Sequence, residues 1–435
     1  MNIPPIDLEP RLQSRYRQLV QQHSAPVDPL ASGLRVLPNG MSTFAATQAA
    51  WRFFANPKVT LQQLVEPLQE HARQVTAVRQ RDFMASAFVL VAHDWSWIDY
   101  HGHTSKQDRR AHSHAQGYEL LSALAICPTN GAPIAPLNLD LDSAEGVHTS
   151  RAKSLQPSAQ SHQEALRSQV EYVQSLELGA LCVHIIDREA DTVANFRAFA
   201  QAEHLCVIRG HDNYYVEYQG RSVQLRQMLP LLSFAYSRPV LYHGQNAQQF
   251  VAEASVTLTR PYIRVRQGKR EVIPGPPVTL RLVISQVRNA LGQVLACWYL
   301  YTNVPDTVDT ETIALWYYYR WRIECFHKLL KSAGWQMENW QQESASAIAK
   351  RLAVVAMATA LVWQIQYSGA PEVEPLRREL VALSGRQMKK RQPVTAPALL
   401  AGLWTLLSAI ELLERYTPEQ LRALALQARH AMRQE

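Results

Sequence analysis

Leu181-Cys182-Val183-His184-Ile185-Ile186-Asp187-Arg188-Glu189-Ala190-Asp191 is a short apolar run that ends on a carboxylate and turns polar. Its length and its β-branched residues predict a buried strand. Past the polar turn, Val193, Phe196 and Phe199 recur at helical spacing, so the unit reads as strand, turn and helix. An earlier run, Ala87-Phe88-Val89-Leu90-Val91-Ala92-His93, has the same character and is expected to stop at Asp94. A carboxylate at the end of a buried strand is held rigidly yet faces solvent, which suits a metal ligand.

A third carboxylate lies on a helix. The pattern from Thr310 onward predicts one, with Asp309 as N-cap and Gly334 as C-terminal stop. At about 100° per residue, with Tyr317 at zero, Arg320 falls near ~300°, Trp321 near ~40°, Glu324 near ~340°, Lys328 near ~20° and Lys331 near ~320°. These six share one arc. Leu315, Tyr319, Phe326, Leu329 and Leu330 lie on the other side, so the helix is expected to turn its apolar side to a core and its acid, bases and aromatics outward. Arg322 sits awkwardly near the edge of the apolar side. Taken alone, Glu324 and Lys328 form an i, i+4 pair, and such a face is commonly just solvated. Three carboxylates from two strand ends and a helix shift the balance: a pair of divalent ions needs several converging carboxylates, and flanking cations suit a polyanion.

The blocks Asp187 to Asp191 and Tyr317-Tyr318-Tyr319-Arg320-Trp321-Arg322-Ile323-Glu324-Cys325-Phe326-His327-Lys328-Leu329-Leu330-Lys331 resemble the bacterial insertion-sequence DDE transposases that carry a tyrosine, arginine, glutamate, lysine signature. A weaker block, Ala50-Trp51-Arg52-Phe53-Phe54-Ala55-Asn56-Pro57-Lys58-Val59, is similar to that family's helical N-terminal DNA-binding region. The resemblance runs through most of residues 45–365 and is weaker after that.

The resemblance implies a cut-and-paste enzyme. Asp94, Asp187 and Glu324 fall on its catalytic, metal-binding triad, which uses two Mg2+ ions, with Mn2+ able to substitute. Tyr317, Arg320 and Lys331 fall on positions that hold the phosphates beside the cleaved bond, and Trp321 and Lys328 share their face. Trp298, at the head of the strand Trp298 to Thr302, resembles a tryptophan that stacks a base flipped out of a DNA hairpin intermediate. On its own it reads as a strand-end core residue. Arg209 is similar to a family position facing DNA; alone it is only a strand-end arginine. The implied partners are double-stranded DNA, as transposon ends and target, and a second copy in a synaptic homodimer, with no nucleotide and no membrane. The implied place is the bacterial cytoplasm, at the nucleoid. Two other readings stay open: a non-catalytic DNA-binding inhibitor, and another carboxylate-dependent nuclease or hydrolase such as a glycosidase, which would need two acids and no row of cations.

The implied fold is α/β, a ribonuclease-H-like catalytic core interrupted by a β-rich insertion between helical N- and C-terminal domains. Residues 1–80 are helical in pattern, with Arg11, Arg15, Arg17, Arg52 and Lys58 as candidate phosphate contacts. Residues 81–212 alternate strand and helix patterns, with a polar surface loop expected from Asp140 to Ser161. Residues 213–297 change to period two, punctuated by Pro274-Gly275-Pro276-Pro277 and Asn289 to Gly292. That stretch is basic through Arg264, Arg266, Lys269, Arg270, Arg281 and Arg288; exposed strand faces are often basic for solubility alone. Residues 298–365 complete the core, and residues 366–435 are helical and would dimerise. The run Gly385 to Arg391 is basic enough for a phosphate backbone and equally suits a solvated loop.

Composition agrees without deciding. The chain has 435 residues, a net charge of +7 and 47% hydrophobic residues, which fits a folded, mildly basic protein of roughly two to four domains. Five scattered cysteines with no C-x-x-C give no disulfide framework or zinc ribbon. His101-Gly102-His103 and His112-Ser113-His114 pair histidines as some zinc sites do, but no cysteine is near and the stretch reads as a hairpin tip. No signal peptide is expected at Met1 to Asp7. The apolar stretches Leu352 to Trp363 and Ala398 to Leu407 fall short of the roughly 20 residues of a membrane span and read as buried or subunit-facing helices. No phosphate-cradling glycine loop, G-x-S-x-G or H-E-x-x-H is present.

Overall fold

The computed structural model describes residue 4 and residues 6–23, 43–80, 87–112, 115–266, 269–386 and 394–431. Helices α1 (Pro10–His23), α2 (Thr43–Ala55) and α3 (Leu61–Gln80) precede strands β1 (Phe88–Asp99), β2 (Arg110–His112), β3 (Ala115–Ile126), β4 (Pro133–Ser143) and β5 (Gly146–Thr149). Then come α4 (His162–Gln174), β6 (Leu181–Ile186), α5 (Val193–Gln201) and β7 (Leu205–Arg209). A strand-rich stretch follows: β8 (Tyr215–Tyr218), β9 (Arg221–Gln224), β10 (Ala235–Tyr242), β11 (Gln245–Leu258), β12 (Tyr262–Arg266), β13 (Lys269–Ile273), β14 (Val278–Arg288) and β15 (Val294–Thr302). After it run α6 (Thr310–Tyr319), α7 (Trp321–Lys328), α8 (Ala345–Tyr367), α9 (Val373–Leu383), α10 (Ala396–Arg415) and α11 (Pro418–Ala431).

One sheet carries most of this. Its order is β5-β4-β3-β1-β6-β7-β15-β14-β11-β8-β9, with β2 on β3 and β10 on β11, while β12 and β13 form a separate hairpin. The centre, β1-β6-β7, is parallel and its flanks are antiparallel. Alternate side chains leave opposite faces. Val183, Val207, Val283 and Leu300 join one apolar cluster with Tyr16 of α1, Phe53 of α2, Leu64 of α3, Trp316 of α6, Phe326 of α7 and much of α8. Ile186, Ile208, Ile284 and Tyr301 join a second with Leu166 and Val170 of α4 and Val193, Phe196 and Phe199 of α5. Helices therefore cover both faces of a mixed sheet.

Several expectations change. β1 does not stop at Asp94 but runs on to Asp99, because beyond that point it keeps its antiparallel partner β3 after its parallel partner β6 has ended. The polar stretch from Asp140 is not a surface loop: β4 and β5 occupy most of its first ten residues, and Asp140 is buried because Thr149 and Arg151 satisfy it. Trp298 lies inside β15, opposite Ser285, rather than at a strand head. The expected division between residues 297 and 298 falls inside that strand. The apolar stretches near 352 and 398 belong to helices of 23 and 20 residues, long and apolar enough by length and composition to cross a membrane; 89% of the apolar window of the first is buried within the protein, against 33% for the second. Most of Gly385 to Arg391, and part of the paired-histidine stretch at residues 113–114, lie outside the described residues, as do the side chains of Arg264, Arg266 and Lys269.

Candidate active site

The site is set first by register. In the parallel pair β1 and β6, His93 lies opposite Ile186, so the next rung brings Asp94 beside Asp187. Asp187 ends its strand and caps a short turn, its carboxylate accepting from the Arg188 N–H at 2.7 Å. Asp94 leaves the sheet on the face that packs against α7.

The third carboxylate arrives on the helix after β15. Asp309 caps α6 by accepting from the Thr312 N–H, and the helical path runs to Gly334. It is not uniform: the turn at Arg320 tightens to i, i−3 hydrogen bonds, and Leu329–Ala333 is a π-turn. Phe326, Leu329 and Leu330 are buried as expected, and Trp321 and Lys328 are exposed. Tyr317 and Arg320 face inward instead, at 8% and 7% exposure, because the helix lies across the strand ends and its polar side meets Asp94 and Asp187. Arg322, the awkward member, donates to Gly131 O at 2.8 Å and lies over the Tyr367 ring.

Arg320 gathers the three acids. Its Nη1 lies 3.7 Å from Asp94 Oδ1, its Nη2 lies 3.5 Å from Asp187 Oδ2, and Nη2 also donates to Glu324 Oε1. The Tyr317 hydroxyl donates to Asp187 Oδ1 at 3.3 Å, and Arg209 Nη1 is 3.6 Å from the same oxygen. Burial pushes Asp94 up to about 7, against the pull of Arg320 and with the help of the Glu324 and Asp187 charges. Burial also raises Glu324. It works the same way on Asp187, but Arg320, the Arg188 N–H and Arg209 outweigh it and hold that carboxyl below its usual value. Burial opposes the charge on Arg320, and Tyr317 and the three acids more than restore it.

When all three are ionised, three carboxylates around one guanidinium leave an excess of two negative charges, and their hard oxygen donors are of the type that divalent cations take. In donor type and charge the cluster fits such a cation. In position its oxygens are drawn to Arg320: among the described residues no three His, Cys, Asp or Glu side chains are grouped closely enough to hold a metal ion. That statement covers His101, His103 and His112 but not His114, which lies outside the described residues; His103 Nδ1 meets Lys106 Nζ at 3.2 Å.

A cavity of about 470 Å3 opens beside the acids, and its lining includes the polar groups Asp187, Arg209, Tyr317, Arg320 and Glu324 and the rings of Tyr242, Trp298 and Trp321. The Tyr242 ring stands edge-on to Trp298 at 6.4 Å. It is delivered by the tight turn between β10 and β11, where His243 and Gly244 take positive φ, 47° and 80°. Lys331 is turned away from this cavity and holds the end of β1, donating to Trp97 O at 2.5 Å and facing Glu338 at 3.4 Å. Lys58, in the N-terminal helical region, pairs with Glu9 at 2.9 Å.

Two residues of the site carry no role in the sequence reading although both lie inside the quoted blocks. Asp191, buried, accepts from the His211 N–H at 2.7 Å and from Arg260 at 3.4 Å, tying the turn after β6 to the strand-rich segment. His327, one turn after Glu324, stands between Asp94 and Ser122. The signal for it was its i, i+3 relation to the glutamate; nothing in the sequence named its partners.

No curated protein matches the chain. Among solved structures, the cryo-electron microscopy structure of the piggyBac transposase synaptic complex with hairpin DNA is similar at 11% identity and a TM-score of 0.36, over 95% of this chain and 74% of that one. The sequence model of the transposase DDE domain matches residues 86–361, a span that holds both strand carboxylates, the helix carboxylate and Arg320. The chain belongs to the transposase DDE domain family.

Proposed function

We propose that this protein is the transposase of a bacterial insertion sequence of the Tyr-Arg-Glu-Lys signature type, built on a ribonuclease-H-like core. It binds the ends of its element as a homodimer, cuts them through a hairpin intermediate and joins the 3′ ends to target DNA, in the bacterial cytoplasm. The observation that carries this reading is the convergence of Asp94, Asp187 and Glu324, from two neighbouring strands and one helix, on the Arg320 guanidinium.

Domains of this family use divalent metal ions; two Mg2+ held by Asp94, Asp187 and Glu324 would supply nucleophile activation and leaving-group stabilisation. The chain's own groups bind and orient the DNA. Arg209 and Arg320 line the cavity beside the acids, where a phosphate would take hydrogen bonds from Arg209 and, once a cation has taken over the carboxylates, from Arg320. The Tyr317 hydroxyl sits among them. Trp298 gives the cavity an aromatic wall against which an unpaired base stacks, with Trp321 and Lys328 exposed along the same helix. In this reading Lys331 acts through the end of β1, residues 1–80 contact element-end DNA, residues 213–297 add a basic face, and residues 366–435 serve dimerisation.

The test is Mg2+-dependent cleavage of a labelled duplex bearing the inverted repeats that flank the gene, comparing wild type with Glu324→Ala. Wild type is expected to nick and form a hairpin while the variant only binds, with binding that weakens steeply as salt rises. Equal cutting by both proteins, or binding by neither, overturns the proposal.

A further inference from the structure

His327 is six-percent exposed, on the helix that carries Glu324. Its Nε2 lies 2.7 Å from Ser122 Oγ and its Nδ1 lies 3.7 Å from Asp94 Oδ2. Ser122 is the direct cross-strand partner of Asp94 in the β1 and β3 ladder, and its side chain is fully enclosed. The ring therefore spans two neighbouring strand positions from one helix. The other Asp94 oxygen, Oδ1, faces Arg320, so the two oxygens of this carboxylate have different neighbours, each from the glutamate helix or its preceding turn.

We propose that His327 is a positioning residue for Asp94: anchored by Ser122, it presents its Nδ1–H to Oδ2 and fixes the rotation of the carboxylate relative to Glu324. The inference rests on the reading of Asp94 as a cation-holding group. Proton placement supports it in either charge state of the ring. If Ser122 donates to Nε2, the ring proton sits on Nδ1; if the ring is charged, both nitrogens carry protons. With Asp94 ionised, as a cation ligand must be, only a neutral ring donating to Ser122 through Nε2 would aim a lone pair at the carboxylate oxygen, which is repulsive. At 3.7 Å the contact is longer than a hydrogen bond, so it acts as a dipole that restrains the carboxylate's swing. Groups that hydrogen-bond a ligating carboxylate from behind are worth about ten- to a hundredfold in metal affinity, and a contact of 3.7 Å falls at or below the lower end of that range.

The experiment uses the full chain without DNA and Mn2+ as the probe, with free Mn2+ counted by electron paramagnetic resonance. His327→Ala is expected to weaken Mn2+ binding severalfold, up to about tenfold, while melting within a few degrees of wild type in chelator. His327→Asn, whose side-chain N–H can stand near the place of Nδ1–H, is expected to retain most of the affinity, and Ser122→Ala to fall between. In 15N-histidine spectra, one ring protonated at Nδ1 should be present in wild type and missing in His327→Asn. A His327→Ala protein that binds Mn2+ like wild type, an asparagine variant that falls as far as alanine, or a ring protonated only at Nε2 each overturns the proposal. Failure of the transposase reading looks different: normal Mn2+ loss in His327→Ala with no cleavage of the flanking-repeat duplex by wild type leaves the positioning role standing.

Discussion

Arg320→Ala removes the cation shared by three carboxylates and tests the site at its centre. The guanidinium side chain is 9% exposed, and its partners Asp94, Asp187 and Glu324 are 22%, 33% and 29% exposed. Removing one partner from a buried ion pair costs about 3–5 kcal/mol. The acids here keep part of their hydration, which argues for the lower end, about 3 kcal/mol. The loss must depend on pH. Arg320 pulls down the proton affinity of all three acids, so in its absence Asp94 and Glu324 rise further above their unfolded values and Asp187 loses part of its depression. Groups shifted that way lose stability as pH climbs through the folded value. The deficit of the variant should therefore be smaller at pH 5, where Asp94 is protonated when folded, than at pH 8. Urea unfolding in chelator, followed by tryptophan fluorescence, measures both. Excess Mg2+ should then restore the variant, since a cation at a hundred times its dissociation constant adds about 2.7 kcal/mol to the folded state. A variant within about 0.5 kcal/mol of wild type at pH 8, or a deficit larger at pH 5 than at pH 8, would refute the clustering of these acids.

Asp191→Ala should lower stability by about 2–3 kcal/mol, because the His211 N–H and the Arg260 guanidinium lose their buried acceptor; Asp191→Asn, which still accepts, should recover part of it in the same urea titration, and equal losses in both would remove this explanation. His162, between Glu119 at 3.0 Å and Glu189 at 3.5 Å and stacked on Trp95, has its proton affinity raised to about 10, by the hydrogen bonds to those two acids. A raised folded value means that its stabilisation is complete below the ordinary histidine range near 6.5 and fades as pH rises through about 10. The urea midpoint of wild type should therefore fall between pH 7 and 10 more than that of His162→Gln; parallel slopes would show that His162 is not charged in this way.

What the sequence showed was local. β6 ends just before Asp187, Asp309 caps its helix, Gly334 stops it, and Val193, Phe196 and Phe199 face one core, all because caps and short periodic runs depend on near neighbours. The failures were of pairing. Trp95 to Asp99 look polar enough to leave the sheet, yet they stay in β1 because β3 continues beside them. Asp140 and Thr149 look like loop residues, yet each is the partner that lets the other be buried. A buried carboxylate met by a distant arginine or threonine is stable, and nothing adjacent in the chain announces the partner. The same reason hid Ser122, which matters only because register sets it across from Asp94.

The helix face is the instructive case, since its angles held while its environment did not. A tight turn at Arg320 advances about 120° per residue in place of about 100°, a drift too small to carry Glu324 off the arc shared with Tyr317. Periodicity therefore grouped Tyr317, Arg320 and Glu324, which the structure brings together with Asp187, but it also grouped Trp321 and Lys328, which are exposed, and Lys331, which turns to the end of β1. It could not say that Tyr317 and Arg320 are enclosed, because polarity argues for solvent. An arginine buried alone would cost several kcal/mol, and three carboxylates crowded without a cation would repel one another. Each condition removes the other's penalty, so Arg320 is inside because the acids are there, and the acids converge because Arg320 is. A divalent cation entering the cluster must then compete with the guanidinium for the same oxygens. Cation binding and the position of Arg320 should thus be coupled, with the arginine turning outward, toward a phosphate at the cavity mouth, as the metal takes its place.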